Sequence, residues 1–319
     1  MREERMAIGE PVLVAEETGI EPGVVARGPW RLAWERLRRD RAAIASAAFI
    51  IFISLVAVGA PLIAHLTGHP PDAQYRETGL SINGIPVGPN RTFLFGTDEL
   101  GRDVLVRVAY GARISLLVGV VASALAVLTG VVVGMCAGYF GTTVDTLLAR
   151  SMDVILSFPL LLFAIALVTV VGPSLPLSVA IIAFFSWAPV GRVVRGQVLS
   201  LREKEFIEAA RAVGASDLRI LIVDILPNLA AQIIVYATLL VPLSIVFEAT
   251  LSFLGLGVVP PTPEWGSMLA EAVSYYQVAW WYVAFPGAAL LFTTLAFNIL
   301  GDSVRDAVDP RGERMFVRG

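Results

Sequence analysis

The chain has 319 residues, of which 56% are hydrophobic and 16% charged, and its formal net charge is −3. A soluble globular domain carries about 25% charged and about 45–50% apolar residues, so this composition excludes an ordinary soluble enzyme and a basic nucleic-acid binder and points to a membrane protein. A single cysteine, Cys136, sits in an apolar run and excludes an intrachain disulfide or thiolate metal site. The two histidines, His65 and His69, flank Gly68 and precede Pro70, a poor setting for a helical metal pair.

Residues 1–28 carry Glu3, Glu4, Glu10, Glu16, Glu17 and Glu21 and read as a disordered acidic tail. They lack the basic start and short apolar core of a cleaved signal, so the first apolar run is expected to stay as an anchor. In "WRLAWERLRRDR", residues 30–41, Trp30, Trp34 and Leu37 share one helical face with arginines opposite. This stretch reads either as a helix lying in the membrane interface or as an extension of the first span, and 29–66 is taken as one unit.

Six runs approach the ~20 apolar residues that a helix needs to cross a bilayer. They cover 42–66, 114–138, 154–171 with Pro159, 175–190 running on past Arg192, 229–254 with Pro242 and Glu248, and 280–300. The expected fold is therefore an all-α polytopic membrane protein with six transmembrane helices. Between the first two runs, 67–113 is an outer loop ending in the amphipathic "FGTDELGRDVLVRVAYGARISL", 95–116, where Leu100, Val104, Val108 and Ala112 recur every four residues. Asp98 with Arg102, and Asp103 with Arg107, are spaced as i,i+4 pairs on its exposed side. These acids lack the alternating oxygen ligands and trailing Glu of a calcium loop.

The placement of Lys and Arg orients the chain. With the amino terminus inside, only Arg76, Arg91, Arg102, Arg107 and Arg113 of the 24 basic residues fall outside, all in the first outer loop. Both termini are then cytoplasmic, the tail 305–319 included, and so is the charged loop at about 198–228.

That loop contains "EAARAVGASDLRILIVDILPN", 208–228. Phe206, Ala209, Ala210 and Val213 follow the i, i+3, i+4, i+7 pattern of an amphipathic helix. Gly214 suits the left-handed residue that ends it, and Ser216 suits the cap of a second helix with Leu218, Leu221, Ile222 and Ile225 on one face. Pro227 stops that helix or begins the next span. A merely linking loop needs only a handful of residues, and a DNA-reading helix would want more basic residues than Arg219 alone.

Glu208-Ala209-Ala210, Gly214 and Leu226-Pro227 resemble the "EAA…G…LP" signature of the membrane subunits of binding-protein-dependent ABC importers. "GTDELGRDVLVRVAYGARISL" at 96–116, "EATLSFLGLG" at 248–257, "EWGSML" at 264–269 and "GDSVRDAVDPR" at 301–311 narrow the resemblance to the C-type permeases of the dipeptide/oligopeptide/nickel subfamily. It spans roughly 30–311, with Asp224 where the signature favours isoleucine. The resemblance implies the type I permease fold, with 114–304 as its transmembrane core. It also implies that the loop docks on an ATPase subunit through Glu208, Ala209, Ala210, Val213, Gly214, Ala215, Ser216 and Leu218. The implied partners are a second homologous permease subunit, two ATPase subunits and an extracytoplasmic solute-binding protein, at the plasma (inner) membrane. Short peptides are the expected cargo, with nickel, glutathione and sugar sharing the motifs.

No GxxxxGK[ST] phosphate loop is present, so no cofactor is expected on this chain and ATP with Mg is assigned to the partner subunits. Ser115, Ser123 and Ser252 have no histidine to activate them. Glu248 is the carboxylate inside an apolar run, about 30 Å along its helix from Leu229 and near the outer interface. With Pro242 it is a candidate for the translocation path or gate, or else it packs against a polar partner. An ion-coupled secondary transporter would need more intramembrane ionisable groups than this.

Overall fold

The computed structural model describes residues 29–308, so the expected acidic tail at 1–28 and residues 309–319 lie outside the described residues. Among the described residues twelve α-helices run in order: α1 (Pro29–Leu37), α2 (Arg41–Val58), α3 (Ala60–Thr67), α4 (Val104–Phe140), α5 (Thr142–Ser157), α6 (Leu160–Val171), α7 (Leu175–Leu201), α8 (Glu205–Ala212), α9 (Asp217–Arg219), α10 (Leu226–Phe253), α11 (Trp265–Ala272) and α12 (Trp280–Val308). Among the described residues there is no extended strand, only isolated bridges Leu80–Pro86 and Thr97–Asp103 in the segment between α3 and α4.

Among the described residues five helical stretches are long and apolar enough to cross a membrane: Arg41–Val58, Val104–Phe140, Leu175–Leu201, Asp217–Phe253 and Trp280–Val308. The third expected run instead divides at Pro159, where α5 and α6 meet at 82°. Proline lacks the N–H and crowds the preceding turn, so the run cannot stay one straight rod. The first expected run also divides, at Gly59 ahead of Pro61, into α2 and α3.

The amphipathic stretch and the second run are not separate elements. Asp103 accepts hydrogen bonds from Leu105 N (2.8 Å) and Val106 N (3.4 Å), which fixes the helix start at Val104. From there α4 continues unbroken for 37 residues, about 55 Å. The expected pairing of Asp103 with Arg107 is overturned, because the other oxygen of Asp103 lies 2.7 Å from His69 Nδ1. The Asp98–Arg102 pair forms, but both partners are buried rather than surface-exposed.

The most extensive helix pairing is α4 on α7. Gly130, Gly134 and Gly138 recur every four residues along α4 and face Val190, Gly191, Val194 and Val198 of α7. A Cβ built on Gly134 would lie 2.5 Å from the Gly191 carbonyl oxygen and 2.8 Å from Val194 Cβ. The two backbones meet because no side chain separates them, which is how small residues bring apolar helices together in a membrane. Next to this seam, Val127, Val131, Met135 and Tyr139 of α4 share one buried cluster with Leu229 of α10 and with Ile207, Ile220, Leu221 and Ile225 of the loop. The seam therefore leads into the charged loop.

This packing makes a testable distinction between two glycines. Gly134→Ala should destabilise the purified chain by about 1–3 kcal/mol, the usual cost of overpacking. Gly196→Ala, on α7 where an added methyl group meets nothing within 4 Å, should be neutral or stabilising by up to about 1 kcal/mol. Thermal unfolding in detergent checks this, and equal effects at the two positions would rule out a tight seam.

Candidate functional site

α8 starts after Lys204 with Glu205 and Glu208 in its first turn and Arg211 in its last, each charge at the end the helix dipole favours. Gly214 ends it with φ of 79°. Gly214 N–H donates to Arg211 O (2.9 Å) and Ala215 N–H reaches back to Ala210 O (3.0 Å), the paired bonds of a Schellman turn. Nothing lies within 4 Å of a Cβ added at Gly214, so the demand for glycine is conformational and not steric. Ser216 precedes the next helix as expected but makes no side-chain capping bond.

The second half departs from the expected pattern. After α9, residues Ile220–Ile225 form a π-helical stretch that continues into α10 without a stop, and Pro227 sits in the first turn of α10. The wider π turn shifts the register, so Ile220, Leu221 and Ile225 are buried while Leu218 and Ile222 are exposed. On α8 the residue buried against the protein is Ile207, which the periodicity missed, and Ala210 packs beside it. Phe206, Ala209 and Val213, three of the four residues on the expected apolar face, are exposed.

The loop thus has two apolar sides. One closes the protein's own core. The other carries Phe206 (43% exposed), Val213 (83%), Leu218 (67%) and Ile222 (51%), with Ala209 and the charges of Glu208 and Arg211 alongside. Exposed apolar residues beside charges mark a surface open to a partner or to lipid.

The loop is fastened to the end of α4. The Tyr139 hydroxyl donates to Asp217 Oδ1 at 2.7 Å, and the Arg211 guanidinium lies 5.4 Å above the Tyr139 ring. Arg202 Nη1 donates to Gly138 O at 3.1 Å. Two turns back on α7, Arg195 forms a two-pronged pair with Asp145 of α5.

At the far end of the same helices, Glu248 is fully buried. It accepts the Ser252 hydroxyl at 2.9 Å, and Ser115 of α4 lies 3.5 Å from its second oxygen. Ser115 is also 3.2 Å from Glu264, which caps α11 by accepting Gly266 N–H (2.6 Å) and Ser267 N–H (2.9 Å). Glu248 thus joins α4, α10 and α11, with Pro242 buried two turns earlier in α10. The "EWG" segment thus supplies part of the polar surround of Glu248.

A second charged knot was not legible in the spacing. Arg102 reaches Asp98, Glu99 (3.1 Å) and Glu271 (3.1 Å), and Arg107 lies 3.2 Å from Asp98 and 3.4 Å from Glu271. The Tyr282 hydroxyl bonds both Glu99 and Glu271. Burial pushes the Glu99 carboxyl above its usual range, against the lowering effect of the Tyr282 bond. Burial opposes the charge on Arg102, yet the surrounding carboxylates raise its pKa overall. Asp98, Glu99 and Glu271 gather carboxylate oxygens as a metal site would, but two guanidinium groups already supply the positive charge.

The family model for the inner membrane component of binding-protein-dependent transport systems matches residues 130–314, and that for the N-terminal transmembrane domain of oligopeptide transport permease C matches 28–81. Among curated proteins, the dipeptide transport system permease protein DppC of Alkalihalophilus pseudofirmus is 42% identical, over 95% of this chain and 97% of its own. The di/tripeptide transport system permease protein DppC of Pseudomonas aeruginosa is 39% identical over 91% and 95%, and the glutathione transport system permease protein GsiD of Escherichia coli 43% over 89% and 91%. Among solved structures, the inward-facing MetNI methionine ABC transporter shares the fold, with a TM-score of 0.53 at 15% identity over 64% of this chain and 96% of that one.

The Tyr139 fastening predicts a local effect. Tyr139→Phe removes the bond to Asp217, a net loss of about 1 kcal/mol or roughly fivefold in local opening. Trypsin should then cut the folded chain after Arg211 or Arg219 about fivefold faster, at unchanged global unfolding temperature. An unchanged cleavage rate would mean that α4 does not hold the loop.

Proposed function

The chain belongs to the family of binding-protein-dependent transport system inner membrane components, and on that premise we propose that it is the C-type permease subunit of an ATP-driven importer of di- and oligopeptides. The observation that carries the reading is the loop between α7 and α10. It is capped at Gly214, pinned to α4, and holds an apolar stripe outside its own core. A rigid helix pair transmits a push, whereas a flexible loop would absorb it.

In this reading Glu208, Ala209, Val213, Gly214, Ser216 and Leu218 form the surface that a partner ATPase grips, and Ala210 and Ala215 back it from the core side. The chain has no phosphate loop, so ATP and Mg belong to that partner. The complex comprises a second permease subunit, two ATPase subunits and an extracytoplasmic solute-binding protein. The bent pair α5–α6 counts as one of six spans, and the distribution of arginine supports cytoplasmic termini in the inner membrane. Pro242 and Glu248 on α10 are assigned to the gate, acting through the buried joint with Ser115 and Glu264.

The dipeptide and di/tripeptide names of two relatives favour peptides, and the glutathione relative, at similar identity, supports glutathione as a second cargo.

Gly214→Val separates coupling from assembly. A β-branched residue in the left-handed region costs about 1–2 kcal/mol and tilts α8 against α9. In proteoliposomes holding the complete complex, this variant should assemble and hydrolyse ATP but lose most uptake of labelled dipeptide, while Gly214→Asn keeps most of it. Uptake at the wild-type rate by Gly214→Val would overturn the coupling role. Uptake of labelled glutathione in preference to dipeptide would assign the second cargo.

A further inference from the structure

Between α1 and α2 the chain turns in three residues and presents Arg38, Arg39 and Arg41, all exposed. No described carboxylate forms an ion pair with any of the three. Asp40, the acid among them, is engaged elsewhere. It accepts Ala42 N–H at 2.9 Å, capping α2, and the Ser303 hydroxyl of α12 at 2.6 Å. The Ser303 bond, followed by that from Ala42, holds its carboxyl below the usual range. The turn is therefore tied to α12, and among the described residues no carboxylate pairs with its three arginines.

Apolar surface flanks this charge on both sides. Trp30 and Trp34, four residues apart on α1, are 51% and 59% exposed, and Ile44, Ile51, Phe52 and Leu55 line the open side of α2. Tryptophans mark headgroup depth and exposed aliphatic residues mark acyl-chain depth. Arginines between them lie at the level of the phosphates.

We propose that Arg38, Arg39 and Arg41 form a binding site for the headgroups of anionic phospholipids, with Trp30 and Trp34 seating the glycerol and upper acyl region. The guanidinium fork suits phosphate oxygens, and the Asp40–Ser303 tie keeps the three side chains on one short, fixed turn. Only a bilayer is required, so this inference stands or falls separately from the transport reading.

The test uses the purified full-length chain in nanodiscs of phosphatidylcholine, alone or with phosphatidylglycerol, and counts retained lipids by native mass spectrometry. The wild type should retain phosphatidylglycerol over phosphatidylcholine. The triple variant R38Q/R39Q/R41Q should lose that preference by on the order of a hundredfold, about fivefold per arginine. R38K/R39K/R41K should keep most of it, and Arg91→Gln, an exposed arginine of the α3–α4 segment, should keep all of it. Equal retention of the two lipids by the wild type, or a folded triple glutamine variant that still prefers phosphatidylglycerol, would overturn the proposal. Should the triple variant not fold, wild-type selectivity that survives high salt unchanged would overturn it as well.

Discussion

The close approach of α4 and α7 is the constraint on which the other features depend. Gly130, Gly134 and Gly138 let the backbone of α4 lie against Val190, Gly191, Val194 and Val198. In a bilayer the hydrophobic effect does not drive one apolar helix onto another, so dispersion at short range must hold them. That requires glycine at the crossing points, since a methyl group at Gly134 would overlap the Gly191 carbonyl. The result is a two-helix rod whose ends are fixed relative to each other.

Each end of the rod carries polar chemistry that an isolated helix could not hold. At one end, Gly138 and Tyr139 receive the loop through Arg202, Asp217 and Arg211. At the other, Ser115 meets Glu248 and Glu264, and Arg107 enters the knot with Asp98, Arg102 and Glu271. Buried charges are costly alone and tolerable when paired and hydrogen-bonded. The Arg107–Glu271 pair joins α4 to α11, Tyr282 adds α12 by hydrogen bonds, and Ser115 links α10 through Glu248, so polar contacts clamp the rod at either end.

The sequence revealed the features that one local rule governs. Apolar length marked five of the spans, and Gly214 was identified because a left-handed cap admits little else. Features that depend on competition between rules were not legible. Pro159 and the Gly59–Pro61 pair divided runs that hydropathy treated as continuous. Asp103 satisfied two helix N–H groups and His69 in preference to the arginine four residues on. The π turn at Ile220–Ile225 broke the 3.6-residue period, so a periodic reading put Leu218 and Ile222 on one face with Leu221 and Ile225, when Ile220 is the residue buried with those two. On α8 the error was one of number. The helix has two apolar stripes, and a search for one face found the outward residues Phe206, Ala209 and Val213 while missing Ile207. The Arg102–Glu271 pair joins positions 169 residues apart, which no local spacing encodes.

That second stripe gives the proposed coupling a direction. A force applied to the outward face of α8 meets Ile207 and Ala210 behind it, seated on the α4–α7 rod. The rod is close-packed and cannot absorb displacement by local compression. The other exit from the loop is the π-helical stretch, which leads without a break into α10. π turns are rare and frequently lie at functional sites. Under the proposed coupling, α4 and α7 would resist motion of the loop and α10 would receive it, with Pro242 at its middle and Glu248 against Ser115 and Glu264 at its far end. The buried Glu248 joint is where that motion ends, because the two serines and the capped carboxylate tie α10 back to α4 and α11.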